Sequence, residues 1–231
     1  MVETIDAGAH RYVGAAFVAV DSGAIRVHRE RCAKVRNRNV DCLKCAAACT
    51  SGCIALVGGE LTIDAAKCVG CGTCATVCPT CALESLNPSD AELKAACLHA
   101  AASLASSSAT PSNFAIPSVG GDLGRPSSTE GDRLAKEGRL TPPTTGSTRE
   151  VVIACSQMEA ALGDLLVPGA AASVVCAGRV DESLLAGLAA DGVGRVTVLC
   201  GDCDRCAQRH GRDTAELVAE TARQVLGAWG N

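Results

Sequence analysis

The stretch CVGCGTCATVCPTC (Cys68–Cys81) contains five cysteines in fourteen residues. The first four have the spacing C-x2-C-x2-C-x3-C, with a proline after the last: Cys68, Cys71, Cys74 and Cys78. Gly70 and Gly72 lie between the first three thiols and allow a tight loop, because glycine adopts positive φ without steric cost. A zinc ribbon would instead carry two C-x2-C pairs set well apart. The spacing therefore favours a polynuclear centre over a single zinc ion.

This spacing, followed by proline, is typical of the bacterial run that binds [4Fe–4S] clusters. In proteins with two such clusters, the first three cysteines of a run bind one cluster and the fourth binds the neighbouring one. A second run is therefore expected elsewhere in the chain.

The stretch RCAKVRNRNVDCLKCAAACTSGC (Arg31–Cys53) is an interrupted copy of this run. Its CAAAC (Cys45–Cys49) aligns with CATVC (Cys74–Cys78), and Cys42 then takes the second ligand position. The nearest thiol upstream is Cys32, so we interpret the copy as C-x9-C-x2-C-x3-C with an insertion of seven residues.

The two runs together predict two ligand sets, each completed by a cysteine of the other run. The first set is Cys32, Cys42, Cys45 and Cys78. The second set is Cys49, Cys68, Cys71 and Cys74. A rival assignment uses Cys53 in place of Cys32 or Cys49. Otherwise we interpret Cys53 and Cys81 as small apolar residues near the clusters, and Cys97 as a core residue of a helix.

Over about residues 12–86 the chain resembles a bacterial ferredoxin with two [4Fe–4S] clusters. It departs from that pattern by the insertion, by Thr50 in place of proline and by Cys81 in place of glycine. The resemblance implies an α+β ferredoxin-like fold. We also expect a hairpin over residues 12–29 that turns at Asp21–Gly23, a second one around VGGELTID, and a helix whose capping box is Ser89 with Glu92.

Composition and motifs restrict the compartment and the function. Sixteen cysteines, with no basic signal segment and no apolar run long enough to cross a bilayer, predict a cytoplasmic metal-binding protein without membrane insertion. The chain is acidic and only 2% aromatic, which disfavours nucleic-acid binding. No dinucleotide-binding or phosphate-binding motif is present, and no motif places a nucleophile beside a base, so we predict no catalytic residues.

The segment 105–148 holds five of the eight prolines and is rich in Ser, Gly and Thr, which predicts a long linker, or a segment that wraps a partner. After it, short apolar runs that end in cysteine alternate with helical patterns, and Asp213 with Glu216 is expected to cap the last helix. This alternation predicts a small α/β domain with a short parallel sheet. The predicted domains are 1–104 (ferredoxin domain with a capping helix), 105–148 (linker) and 149–231.

Five cysteines follow the predicted strands of the last domain and are called here the C-terminal cysteine group: Cys155, Cys176, Cys200, Cys203 and Cys206. The sequence around CAGRVD and GDC, over about residues 150–230, resembles the delta subunit of methyl-viologen-reducing hydrogenase. That resemblance implies one [2Fe–2S] cluster, although the second cysteine usual near ACSQM is absent. The preferred ligands are Cys155, Cys176, Cys203 and Cys206, with Cys200 as an alternative. A structural zinc and a C-x2-C redox pair are the competing interpretations.

These features predict an iron–sulfur electron-transfer subunit. It would relay electrons between a soluble carrier and a catalytic partner, for which the resemblance suggests a hydrogenase or formate dehydrogenase type of complex. A molybdopterin or flavin oxidoreductase is equally compatible. Alternatives are a stand-alone thiol or iron–sulfur redox enzyme and a zinc-stabilised adaptor. The basic insertion is either a solvated face or a docking patch for an acidic partner, with the patch made by Arg31, Lys34, Arg36 and Arg38.

Overall fold

The computed structural model describes residues 11–13, 16–18, 23–106, 149–163, 166 and 169–229. Its first half consists of short elements around the two cysteine runs. In chain order they are β1 (Arg11–Val13), β2 (Ala16–Val18), β3 (Ile25–Val27), α1 (Ala33–Arg36), α2 (Lys44–Ala48), β4 (Ile54–Val57), β5 (Glu60–Ile63), α3 (Thr73–Thr76), β6 (Leu83–Ser85) and α4 (Asp90–Ser106). The predicted linker lies almost entirely outside the described residues.

The strands of this half form three antiparallel pairs: β1 with β2, β3 with β6, and β4 with β5. The hairpin predicted over residues 12–29 is wrong, because β3 pairs with β6, about sixty residues further along the chain, and not with β1 or β2. The β4–β5 hairpin predicted around VGGELTID is present and turns at Gly58–Gly59, both with positive φ. The β3–β6 pair thus brings the start and the end of the cysteine-rich region together.

The core of this half combines aliphatic side chains with cysteines. Ile25, Leu61 and Ile63 are almost fully buried and lie in one cluster with buried cysteines of both runs. Buried thiols therefore form part of this core, as free cysteines often do.

The second half contains one three-stranded parallel sheet with the order β8–β7–β9. Its elements are β7 (Arg149–Cys155), α5 (Ser156–Leu162), β8 (Ala171–Val174), a 3₁₀ turn (Ala177–Arg179), α6 (Glu182–Ala190), β9 (Val193–Leu199) and α7 (Gly211–Ala228). The strands are parallel, as the alternation of apolar runs and helical patterns in the sequence predicts. The central strand β7 is the most apolar, with Val151 and Ile153 fully buried.

Helix α4 begins at the predicted capping box, in which the Ser89 amide and hydroxyl donate to Glu92 and the Glu92 amide donates to the Ser89 hydroxyl. Its main contacts are with β7 and β8 of the parallel sheet. Leu93 and Cys97 share one core cluster with Val151 and Ile153. The sequence predicts that this helix caps the ferredoxin domain, but in the structure it packs on the C-terminal sheet.

The last helix begins earlier than predicted. Its N-cap is His210, and Asp213 lies within the first turn, so the predicted cap at Asp213 and Glu216 is wrong. Among the described residues, no helix is both long enough and apolar enough to cross a bilayer. The division into two domains and a linker stays a prediction.

Candidate metal centres

The second set converges at the loop between β5 and α3. Gly70 and Gly72 both have positive φ, as the tight loop requires, and α3 starts directly after Gly72. Burial raises the pKa of the Cys74 thiol far above its usual value, and the charges of neighbouring cysteines raise it as well. Those neighbours are Cys71, Cys45, Cys49 and Cys68. The other three thiols of the second set therefore all lie close to Cys74.

Three members of the first set lie together. Burial raises the pKa of Cys45 to about 11, with further contributions from Cys78 and Cys32. The backbone amide of Ala82 donates to Sγ of Cys78 at 3.2 Å, a hydrogen bond of the kind that tunes cluster-binding sulfurs. Cys42, the fourth predicted ligand, is half-buried. The position of Cys32 next to Cys45 is compatible with an insertion that loops out between two ligands.

Cys53 lies beside the second set. Its Sγ is 3.4 Å from Sγ of Cys49, and burial raises its pKa to about 12, with Cys68 among the contributing neighbours. Burial raises the pKa of Cys49 too, but hydrogen bonds with Ser51 and Cys53 outweigh it, so that pKa is lowered overall. The rival ligand Cys53 is thus close to Cys49, one of the two residues that it would replace.

Two further cysteines differ in exposure. Cys81 is exposed and has positive φ, which agrees with its place where related runs carry glycine. The Arg31 guanidinium donates to its carbonyl oxygen at 3.4 Å. Cys97 is fully buried in the core between α4 and the sheet, as predicted for an apolar core residue.

The C-terminal cysteine group converges at the carboxyl ends of the parallel strands. Cys155 is the last residue of β7, Cys176 follows β8 by two residues, and Cys200 follows β9 directly. Burial raises the pKa of Cys200 to about 11, and Cys203, Cys155 and Cys176 raise it as well. The topology therefore delivers these thiols to one edge of the sheet, where parallel α/β sheets carry their sites.

The loop after β9 supplies the remaining members. Cys203 is buried and Cys206 is half-buried. Burial raises the pKa of Cys203, while the guanidinium of Arg212 lowers it. Sγ of Cys206 accepts from the Gln208 amide at 3.5 Å. All five thiols of the group, including the alternative Cys200, belong to this region.

The C-terminal cysteine group touches the second set through α3 and the 3₁₀ turn. The Thr73 hydroxyl donates to Sγ of Cys176 at 4.0 Å. Burial raises the pKa of Cys176 to about 11, and Cys71 is one of the charges that contribute. The two groups of thiols are thus neighbours although Cys71 and Cys176 are more than a hundred residues apart in the chain.

The predicted docking residues lie on and around α1. Arg31, Arg36 and Arg38 are exposed and Lys34 is half-buried. The Lys34 ammonium donates to the carbonyl oxygen of Arg38 at 3.1 Å, and Arg31 lies 3.8 Å from the Glu30 carboxylate. The patch therefore presents its arginines to solvent.

The donor chemistry of these groups fits iron–sulfur clusters, which cysteine thiolates bind. Among the described residues, no three His, Cys, Asp or Glu side chains are arranged as the ligands of one metal ion. A cluster is bound differently, since its cysteines bind several irons. Metal binding also compensates for the raised thiol pKa values, because ligand cysteines must be deprotonated.

Sequence reasoning did not identify three residues near these thiols: Thr73, Arg179 and Arg212. Arg179 lies in the 3₁₀ turn, and its side chain is 3% exposed. The Arg212 guanidinium donates to the carbonyl oxygen of Gly201 at 2.9 Å. No spacing in the sequence marks them, because their role depends on which segments pack together.

A family model for the 4Fe-4S binding domain matches residues 61–84, which include Cys68, Cys71, Cys74 and Cys78. No curated protein and no solved structure matches the chain significantly. A ferredoxin-like iron–sulfur domain is therefore present at residues 61–84, and the protein binds at least one [4Fe–4S] cluster and has an iron–sulfur electron-transfer role.

Proposed function

We propose that the protein is an electron-transfer subunit that carries two [4Fe–4S] clusters and a third centre in series. The first set would hold one cluster, the second set the other, and the C-terminal cysteine group the third, in a chain built as a ferredoxin-like domain and a small α/β domain joined by a linker. The observation that carries this proposal is the contact between Thr73, the first residue of α3 after the second set's loop, and Cys176. In this proposal the second set would take the middle position of the relay.

For the third centre we favour a [2Fe–2S] cluster bound by Cys155, Cys176, Cys203 and Cys206, with Cys200 as the alternative ligand. Two observations support this assignment: the thiols converge at one edge of the sheet, and that edge lies beside the second set. The same thiolates could bind zinc, which would have no redox role. The proximity of Cys176 to Cys71 favours a redox centre, because a structural zinc has no need of a neighbouring cluster.

The partners are proposed by charge and by chemistry. Exposed Arg31, Arg36 and Arg38, with Lys34, would steer an acidic soluble carrier toward the first cluster. A catalytic oxidoreductase subunit (hydrogenase, formate dehydrogenase or another molybdopterin or flavin enzyme) would dock nearer the third centre. We place the protein in the cytoplasm, because it would need reduced thiols to assemble clusters, and we propose no role in nucleic-acid binding.

The test is anaerobic purification followed by assays of iron, acid-labile sulfide and zinc, and by EPR of the reduced protein. About ten irons per chain with a [2Fe–2S] signal beside two [4Fe–4S] signals would support the full relay. About eight irons with one zinc would overturn the third redox centre. About four irons would overturn the two-cluster interpretation.

A further inference from the structure

We propose that Arg179, contributed by the C-terminal half, raises the reduction potential of the cluster bound by the second set. The inference rests on the proposed function, since it requires that Cys49, Cys68, Cys71 and Cys74 bind a cluster. It assigns Arg179 as a positioning and tuning residue that is not itself a ligand.

The Arg179 side chain lies directly against the ligand loop. Gly72 separates Cys71 from Thr73, and a Cβ at Gly72 would overlap with Cδ of Arg179 and lie in tight contact with its Cγ and Cβ. Gly178, the preceding residue, is packed in the same way against Thr73. The absence of side chains at these two glycines therefore allows the 3₁₀ turn to lie on the loop of the second set.

The guanidinium is buried and pairs with two carboxylates that differ in exposure. Its side chain is 3% exposed, and its nitrogens pair with Asp90 and, at 3.4 Å, with Asp181. The Asp90 side chain is 71% exposed and that of Asp181 is 20% exposed, so water screens Asp90 much more than Arg179. Nε of Arg179 has no hydrogen-bond partner among the described residues. A buried N–H of a charged group is costly when unpaired, so this donor favours negative charge nearby.

The electrostatic consequence has a definite sign. Reducing a cluster adds one negative charge, and a nearby buried positive charge stabilises the reduced state more than the oxidised one. Net charge and hydrogen bonds around the sulfurs are among the factors that set cluster potentials. Loss of the Arg179 charge should therefore lower the midpoint potential of this cluster.

The experiment is a redox titration of the full, cluster-loaded chain, followed by EPR, with four variants. Arg179→Gln should lower the potential of one [4Fe–4S] cluster and leave the other unchanged. Arg179→Lys keeps the charge and should shift it less. Asp90→Asn removes an exposed carboxylate from the guanidinium and should shift the same potential upward. The control is Arg223→Gln, which removes a positive charge from an α7 side chain that is 70% exposed and should change neither potential.

The outcomes separate this inference from the proposed function. Unchanged potentials in Arg179→Gln and Asp90→Asn, with full iron and sulfide content, would overturn the tuning role while the relay stands. If Arg179→Gln does not fold, Asp90→Asn still decides, because an exposed carboxylate at the helix start can be replaced without opening the core. A wild-type chain without two [4Fe–4S] signals would instead overturn the proposed function.

Discussion

At the residue scale, the decisive assignment concerns the first ligand of the interrupted run. Cys32 lies beside Cys45, whereas Cys53 lies beside Cys49 and Cys68. These positions favour Cys32 in the first set and leave Cys53 as a buried neighbour of the second.

We expect Cys32→Ser to remove one [4Fe–4S] signal and about half of the iron of the two clusters, because a serine oxygen is a poor substitute for a thiolate ligand. Cys53→Ser should leave both signals. EPR and iron assays on the two variants, purified without oxygen, make the measurement. A normal spectrum for Cys32→Ser, together with a lost signal for Cys53→Ser, would show that the register is wrong.

Gly211 provides a second prediction at this scale. A Cβ on Gly211 would overlap with Sγ of Cys176. A Cβ on Gly227, in the same helix, would have no atom within 4 Å. We expect Gly211→Ala to displace Cys176 and to lower the metal content of the C-terminal site while both [4Fe–4S] signals remain. Gly227→Ala is the matched control. Equal metal content in the two variants would contradict the placement of Cys176 among the ligands.

At the scale of elements, α4 is the helix that connects the cysteine-rich half to the parallel sheet. Its capping box starts the helix four residues after the end of β6, and its buried face packs on β7 and β8. The side chain at Leu93 is 1% exposed and lies in the shared core with Val151.

Leu93→Ala should therefore lower the free energy of unfolding by about 2–5 kcal/mol, since it removes buried apolar area and leaves a cavity. Leu217→Ala, at a position on α7 that is 69% exposed, should change it by about 0.5 kcal/mol or less. Anaerobic denaturant titration followed by circular dichroism measures both. Similar losses in the two variants would contradict the packing of α4 on the sheet.

At the scale of the whole molecule, the two cysteine-rich regions are joined through glycines and a buried arginine. Thr73, Gly178 and Arg179 bring the second set and the C-terminal cysteine group into contact. The first set also adjoins the second, since Cys45 interacts with both Cys78 and Cys74. The second set is thus in contact with both other groups of thiols, as the proposed relay requires.

The docking patch belongs to the same scale. Reversing Arg36 and Arg38 to Glu should slow reduction by an acidic flavodoxin about tenfold or more at low ionic strength, and added salt should shrink the difference. Stopped-flow absorbance measures the rate. The control is the double variant Arg195→Glu with Arg223→Glu, which reverses two exposed arginines of the other half. Equal rates for all three proteins at low salt would eliminate the patch as a docking site.

Local patterns were sufficient for much of this protein. The spacing of Cys68, Cys71, Cys74 and Cys78 predicts a [4Fe–4S] site because the ligands of one loop are close in sequence, and the family match to residues 61–84 agrees. The capping box at Ser89 and the β4–β5 hairpin were predictable for the same reason, since each depends on contacts within a few residues.

Long-range packing decided the rest. The pairing of β3 with β6, the packing of α4 on the C-terminal sheet and the burial of Arg179 against Gly72 all join segments that are distant in the chain. Periodicity and spacing describe one segment at a time, whereas the free energy of these contacts depends on the apolar area and the charge that two segments bury together. The sequence by itself therefore determined the cysteine spacing that matches a [4Fe–4S] binding domain, and only the tertiary structure decided which distant thiols are neighbours and which charge lies beside them.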